Sequence, residues 1–331
     1  MRDAVRLAAV QATPAFLDLD ATVTKTVSLI EEAADSGAQV IAFGETWIPG
    51  YPLWMFLTPS FDRGRSKRAF ARLQANSVEV PSPATDRLCA AARRARAFVV
   101  VGMNERDARY SGGTLFNAQM FISPDGEIVG VRRKLMPTNA ERTIWGRGDG
   151  SDLQVHTTNV GRIGASICWE HWMPLTRFAM HAKGEQIHVA AWPMMPETHH
   201  LASRHYAFEG RCFVICVGTY LRLSDVPDDF ELKSALADSV RVAADDPELL
   251  AGGSGVIAPD GSWLAGPVAG CEQIVYGDAD LALIAGEQQF FDAAGHYNRP
   301  DIFSLSVDNR PRDPISWSTD DAAKDAHTSP G

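Results

Sequence analysis

The sequence predicts an α/β protein, on three observations. Strand-like and helix-like segments alternate through the first hundred residues. Further along, "NAQMFISPDGEIVGVRRK" and "GGSGVIAPDGSWLAGPV" each read as strand, tight turn, strand. Short apolar runs such as "QVIAFGE" and "CFVICVGT" suit buried strands and fall well short of the ~20 residues of a membrane span. Helices among mixed strands and hairpins predict mixed sheets with helices packed outside. The pattern leaves open whether there is one sheet or two.

The elements follow in order. "VRLAAVQA" (5–12) alternates apolar with small or polar residues, as a strand does. "DATVTKTVSLIEEAADSG" puts Val23, Val27, Ile30 and Ala34 on one helical face and stops at Gly37. "QVIAFGE" is a short strand ending at Glu45, "TDRLCAAARRARA" a helix, and "FVVVGMNE" a strand ending near Glu105. After the "SPDG" hairpin, "VHTTNVGRIGASIC" reads as another hairpin, ending at Cys168. Met173, Pro174, Leu175 and Phe178 begin a helix. "QIHVAAWP" and "CFVICVGT" are buried strands on either side of the helix "THHLASRHYAFEGR". Residues 1–307 are expected to form one domain. The tail 308–331, rich in Pro, Asp and Ser, has no periodicity and is expected to be extended or disordered.

A net charge of −10 argues against nucleic acid or an anionic membrane surface as the main partner. Residues 224–250 hold eight acids against Lys233 and Arg241, which predicts a solvated surface segment outside any active site. The N-terminus lacks the apolar core and cleavage site of a signal peptide. Five widely spaced cysteines with no CxxC pair argue against a disulfide framework or a zinc site and fit a cytoplasmic protein. In "ETHHLASRHY", His199 and His200 stand six and five residues before His205, which is not the spacing of three or four that a metal needs on one helical face.

Cys168 stands apart from the other cysteines by position. In its strand, Ile163, Ala165 and Ile167 share one face, and Cys168 falls on the other, at the strand end where loops build active sites. A following helix N-terminus would lower its pKa toward the thiolate, the nucleophilic form. A thiol nucleophile needs a base. Glu45, at the end of a buried strand, is partly desolvated, and its pKa should rise toward that of a general base. Taken alone, Lys134 in "VRRKLMPT" reads as a surface lysine and Glu141 in "NAERTIW" as a solvated or salt-bridged loop residue.

The ordered set "FGETWIPGYP", "RRKLMPT", "ERTIWGRGDGSDL", "ICWEHW", "EQIHVAAWP", "YAFEGRCFV", "GGSGVIAPDG" and "DAAGHYNRPDIF" resembles the nitrilase (carbon–nitrogen hydrolase) superfamily from about residue 5 to 307, and its true nitrilase branch in particular. The resemblance implies a four-layer α-β-β-α sandwich, assembled as a homodimer or larger homo-oligomer. It implies Glu45 as general base, Cys168 as nucleophile, Lys134 as charge stabiliser and Glu141 as a second glutamate beside them. Trp169 would contribute a backbone N–H to the anion-stabilising site, and His296 lies in a family motif. The implied activity is hydrolysis of an organic nitrile to acid and ammonia, with no cofactor and no metal. A cyanide-degrading enzyme, an amidase or a non-catalytic assembly protein on the same scaffold are the alternatives. Trp47, Tyr51 and Trp54, directly after Glu45, either line an apolar substrate pocket or serve packing or an oligomer surface.

Overall fold

The computed structural model describes residues 4–56, 63–240, 245–313 and 315. Its strands are β1 (Val5–Gln11), β2 (Val40–Phe43), β3 (Phe98–Arg106), β4 (Leu115–Ile122), β5 (Ile128–Arg133), β6 (His156–Thr158), β7 (Gly161–Ile167), β8 (Ile187–Ala191), β9 (Phe213–Val217), β10 (Tyr220–Arg222), β11 (Glu248–Ile257), β12 (Trp263–Ala269) and β13 (Gln273–Ala279). They form two sheets, which settles what the pattern left open. One runs β13-β1-β2-β3-β4-β5, the other β10-β11-β9-β8-β7-β6 with β12 on β11.

The helices are α1 (Leu19–Asp35), α2 (Arg63–Ala75), α3 (Pro83–Ala95), α4 (Pro174–Ala182), α5 (Glu197–Gly210), α6 (Lys233–Ser239) and α7 (Leu283–Phe290). No helix among the described residues is long and apolar enough to cross a membrane.

Alternation along the strands explains the layering. Leu7, Ala9, Val40, Ala42, Val100 and Phe121 of the first sheet pack in one cluster with Ile163, Ala165, Val189, Ile215 and Val256 of the second, so the sheets lie face to face. The intervening residues Ala8, Val10, Ile41, Phe43, Val99 and Val101 pack on Val23, Ile30, Leu88 and Ala92 of α1 and α3. On the far side, Ala190, Val214 and Cys216 pack with Met180, Ala202 and Tyr206 of α4 and α5. The order is helices, sheet, sheet, helices: the expected four layers.

α2 is a helix the apolar pattern does not announce. Among its described side chains, Ala69 and Leu73, four residues apart, are the buried ones, in a segment otherwise rich in arginine and lysine. The acidic stretch needs a correction. Asp228 and Asp229 do point to water, but Val226, Phe230, Leu232, Leu236 and Leu250 are buried against Phe16, Tyr51 and Trp54. Composition reported the charges and hid the apolar residues between them. Residues 308–313 carry no helix or strand, and the Arg312 N–H donates to Asp149 Oδ2 at 2.7 Å. Residues 314 and 316–331 lie outside the described residues.

Candidate active site

Three strand ends meet at one point. Glu45 follows β2 and Lys134 follows β5, both in the first sheet; Cys168 follows β7 in the second. Two backbone features let them meet. β3 runs so close to the Glu45 turn that a Cβ on Gly102 would lie 1.9 Å from the Gly44 carbonyl oxygen, so only glycine fits there. The Glu45 N–H donates to the Trp192 carbonyl at 3.2 Å, which fastens the turn to the end of the second sheet.

All three side chains are at least 97% buried, as is Glu141 from the turn Asn139–Thr143. Lys134 Nζ donates to Glu45 Oε1 and to Glu141 Oε2, each at 2.7 Å. Asn117 Nδ2 also donates to Glu45 Oε1, at 2.6 Å. Glu141 accepts from Tyr51 Oη and from the Thr138 N–H, both at 2.6 Å. Every buried charge is thus bonded, as desolvation demands. One atom is left over: Glu45 Oε2 is buried with no hydrogen-bond partner. Cys168 Sγ and oxygens of Glu45 and Glu141 lie within 4.8 Å of one another. Such a trio could hold a metal, but the Lys134 ammonium already bonds both carboxylates.

Burial pushes the Glu45 carboxyl up to about 7, with Lys134 pulling against it. Burial alone would lower Lys134, but the negative charge Cys168 carries when ionised, together with Glu45 and Glu141, outweighs it, so it stays an ammonium. Burial and Glu45 hold the Cys168 thiol well above its ordinary value, with Lys134 opposing. This corrects the expectation of a thiolate stabilised by a helix N-terminus. At rest the thiol keeps its proton, and the neighbouring carboxylate is the group placed to take it.

The backbone at Cys168 also differs from a strand residue. It opens a 3-10 turn, Cys168–Trp172, with φ of +55°. Strand alternation therefore does not apply to it, and Ile167 before it already packs on the helical side of the sheet. A non-glycine residue in the left-handed region costs on the order of 1–3 kcal/mol and persists only where surroundings hold it. Glu170 is such a support: it accepts from the Ile167 and Leu135 N–H groups at 2.7 Å each and pairs with Arg132 at 2.5 Å. One carboxylate thus ties the Cys168 turn to the Lys134 loop.

The sequence profile of the carbon-nitrogen hydrolase family matches residues 6–287. The chain belongs to the carbon–nitrogen hydrolase family. It is 39% identical over 317 residues to a bifunctional nitrilase/nitrile hydratase of Lupinus angustifolius, covering 95% of this chain and 89% of that one. It is 40% identical over 328 residues to a nitrilase of Pseudomonas syringae pv. syringae, covering 94% and 92%. Among solved structures, a CN-hydrolase superfamily protein of Xanthomonas campestris superimposes with a TM-score of 0.66 at 18% identity, over 92% of this chain and all of that one. A carbon-nitrogen hydrolase of Helicobacter pylori gives 0.65 at 18%, over 90% and 96%. These last two speak for the fold alone.

In this carbon–nitrogen hydrolase a cavity of about 300 Å³ opens onto Cys168. Tyr51, Phe56, Trp169, Met194, His199 and Leu250 are among its walls. Tyr51 therefore reaches the cavity; its two neighbouring tryptophans do not. Trp47 is buried under the first sheet, packs on Phe43, and donates from Nε1 to Thr26 at 2.8 Å. Trp54 is 1% exposed and packs on Phe16 and Phe230. Both are core residues, which corrects the reading of them as substrate-binding. Trp54→Ala should cost ~3–5 kcal/mol of stability, as large-to-small core changes do. A denaturation midpoint unchanged from wild type would overturn that placement. His296 is exposed, with Nε2 2.9 Å from the Gln288 carbonyl, and is not among the cavity's walls.

Sequence reasoning missed Asn117, Met194, His199 and Leu250. Asn117 lies mid-strand in β4, and only the second dimension of the sheet brings it to Glu45. The sequence offers His199 only as a metal ligand at the wrong spacing; in the fold it packs on Trp172 and Trp192 and lines the cavity.

Proposed function

We propose that the protein hydrolyses an organic nitrile to the carboxylic acid and ammonia, with Cys168 as nucleophile, Glu45 as general base, Lys134 as electrostatic stabiliser and Glu141 holding Lys134. The observation that carries this reading is the buried Glu45 Oε2, without a hydrogen-bond partner, in a carboxylate beside the buried thiol. Glu45 takes the thiol proton as sulfur attacks the nitrile carbon, and the proton passes to nitrogen, giving a thioimidate. Transfer from Cys168 to Glu45 leaves the net charge of the buried cluster unchanged, so the low-dielectric site pays no further desolvation. A water then adds and ammonia leaves, giving a thioester. A second water, deprotonated by glutamate, releases the acid and restores the thiol. Lys134 and the Trp169 N–H stabilise negative charge as it develops.

The names of the relatives, nitrilase and nitrilase/nitrile hydratase, support a nitrile substrate over cyanide or an amide. The apolar walls support an organic body. Burying apolar ligand surface yields ~25 cal/mol per Å², so a phenyl group could add a few kcal/mol that cyanide cannot gain. Ammonia release should therefore show higher kcat/KM for phenylacetonitrile or a mid-sized aliphatic nitrile than for cyanide or the matching amides. A clear preference for cyanide or for an amide overturns this reading.

Exposed apolar side chains on the outer helices, among them Leu175, Leu201 and Phe208, support assembly into a homodimer or larger homo-oligomer. Five unpaired cysteines support a cytoplasmic setting.

A further inference from the structure

A second buried set of titratable groups starts at the nucleophile and leads away from the cavity. His171 Nδ1 lies 2.6 Å from the Cys168 carbonyl oxygen. His171 Nε2 lies 3.1 Å from His188 Nε2, and His188 Nδ1 lies 2.8 Å from Glu185 Oε2. All three side chains are at least 96% buried. None of them enters the chemistry above.

Hydrogen-bond parity constrains this chain. A carbonyl oxygen only accepts, so His171 Nδ1 carries a hydrogen. A neutral His171 then offers a lone pair at Nε2, and the hydrogen in the next contact must sit on His188 Nε2. The contact of His188 Nδ1 with Glu185 needs a hydrogen as well. Three contacts in series require three hydrogens, and two neutral imidazoles bring one each. Without a further proton, two ring nitrogens would face each other at 3.1 Å with lone pairs only.

We propose that His171, His188 and Glu185 form a positioning strut for Cys168 that holds one added proton, resident on His188 as a buried imidazolium paired with Glu185. The groups around it agree. From α5, Tyr206 donates its hydroxyl to the other Glu185 oxygen, and from α4 His181 Nδ1 lies 3.3 Å from that same oxygen. Glu209 of α5 takes the far side of His181 and is itself paired with Arg177 of α4 at 2.6 Å. Arg132 of β5 adds a positive charge already matched by Glu170. Cys212, before β9, is buried near Tyr206 with its thiol raised, burial first and then Glu185, so it adds no charge. Burial wins over Glu185 in lowering the His188 imidazole from its ordinary value, while His181 is raised by Glu185 and Glu209; it is the three contacts in series that require the added proton between His171 and Glu185. Burial also works to raise Glu185, yet His188 and His181 outweigh it and hold the carboxyl below its usual range, which keeps the proton on the imidazole side.

The strut acts through one peptide. The Cys168 carbonyl and the Trp169 N–H belong to the same peptide unit, so a hydrogen bond at the carbonyl both fixes the left-handed turn and polarises the N–H proposed to stabilise the anion. Loss of the added proton at alkaline pH would break the His171–His188 contact and release that peptide. The effect on turnover rests on the nitrile-hydrolysing reading; the protonation state does not.

Two measurements decide it. In wild-type protein labelled with ¹⁵N-histidine, NMR at neutral pH should show both His188 nitrogens protonated and His171 protonated at Nδ1 alone. This arm holds whatever the substrate proves to be. The second is the pH profile of kcat for Glu185→Gln. A carboxamide can donate to His188 Nδ1, so the chain is satisfied with neutral rings and no added proton. Its kcat near neutrality should stay within a few-fold of wild type, while its alkaline limb moves up by about one unit or more, a ~10-fold gain in relative rate at a fixed alkaline pH. A neutral His188 in the wild type, or pH profiles that superimpose, overturns the proposal; a purely structural carboxylate would change the melting temperature and leave the limb in place.

Discussion

Cys168→Ala protein should release no ammonia above background from any nitrile, while its melting temperature stays within a few degrees of wild type. Among the described residues lining the cavity, the thiol is the strongest nucleophile, and the carboxylates beside it are engaged: Glu45 and Glu141 are tied to Lys134, and Tyr51 is tied to Glu141. Alanine accepts the same strained turn as cysteine and removes one buried sulfur, a loss of about 1 kcal/mol. Cys168→Ser should be nearly as inactive, because a hydroxyl is far less acidic than a thiol and Glu45, at about 7, is too weak a base for it. The check is ammonia release together with intact-mass detection of an acyl adduct. More than about 1% of wild-type kcat in the alanine variant, a barrier increase of under ~3 kcal/mol, would make another residue the nucleophile.

Lys134→Met should be almost as damaging, although it removes no nucleophile. The ammonium bonds two buried carboxylates at 2.7 Å each, and its removal leaves them facing one another without a cation. Breaking such a buried pair costs ~3–5 kcal/mol of stability. The catalytic loss should be more than tenfold in kcat, in the range of ~3 kcal/mol for a lost charge-stabilising donor. The pH profile supplies the sign. Glu45 accepts the thiol proton only when ionised, so the rate should rise with pH through about 7 in the wild type. Lys134 holds that carboxyl down, so the acid limb should move to higher pH in the variant. An unmoved limb with more than a tenth of wild-type kcat would return Lys134 to a structural role.

Much of this site could be read before the fold was known, and the reason is local. Glu45 and Cys168 each close a short apolar run, and strand ends are visible in one dimension. Lys134 and Glu141 became legible only through the resemblance, because a lysine after "VRR" and a glutamate in a loop carry no local sign of burial. What stayed hidden depends on lateral packing. Asn117 meets Glu45 across the intervening strand β3, and Leu250 reaches the cavity from a segment whose eight acids draw the eye away from its apolar residues. Trp47 and Trp54 show the opposite error. Proximity in sequence to Glu45 suggests a pocket wall, but Trp47 packs in the core beneath the first sheet and Trp54 in a separate core with Phe16 and Phe230. The raised thiol could not be read either, since its position beside a short turn says nothing of how completely the second sheet encloses it.

Glu45 and Lys134 belong to one sheet and Cys168 to the other, so the reactive trio exists only across the seam between them. Neither half of the sandwich carries a partial version of the chemistry. The first sheet alone has a base and a cation with nothing to activate; the second has an ordinary cysteine. The chain must also come full circle to close the seam, since β13, near residue 275, completes the sheet that β1 begins. Catalysis here is therefore a certificate of assembly. Specific activity should count fully docked molecules, and every chain that stalls before its last strand pairs with its first is chemically silent.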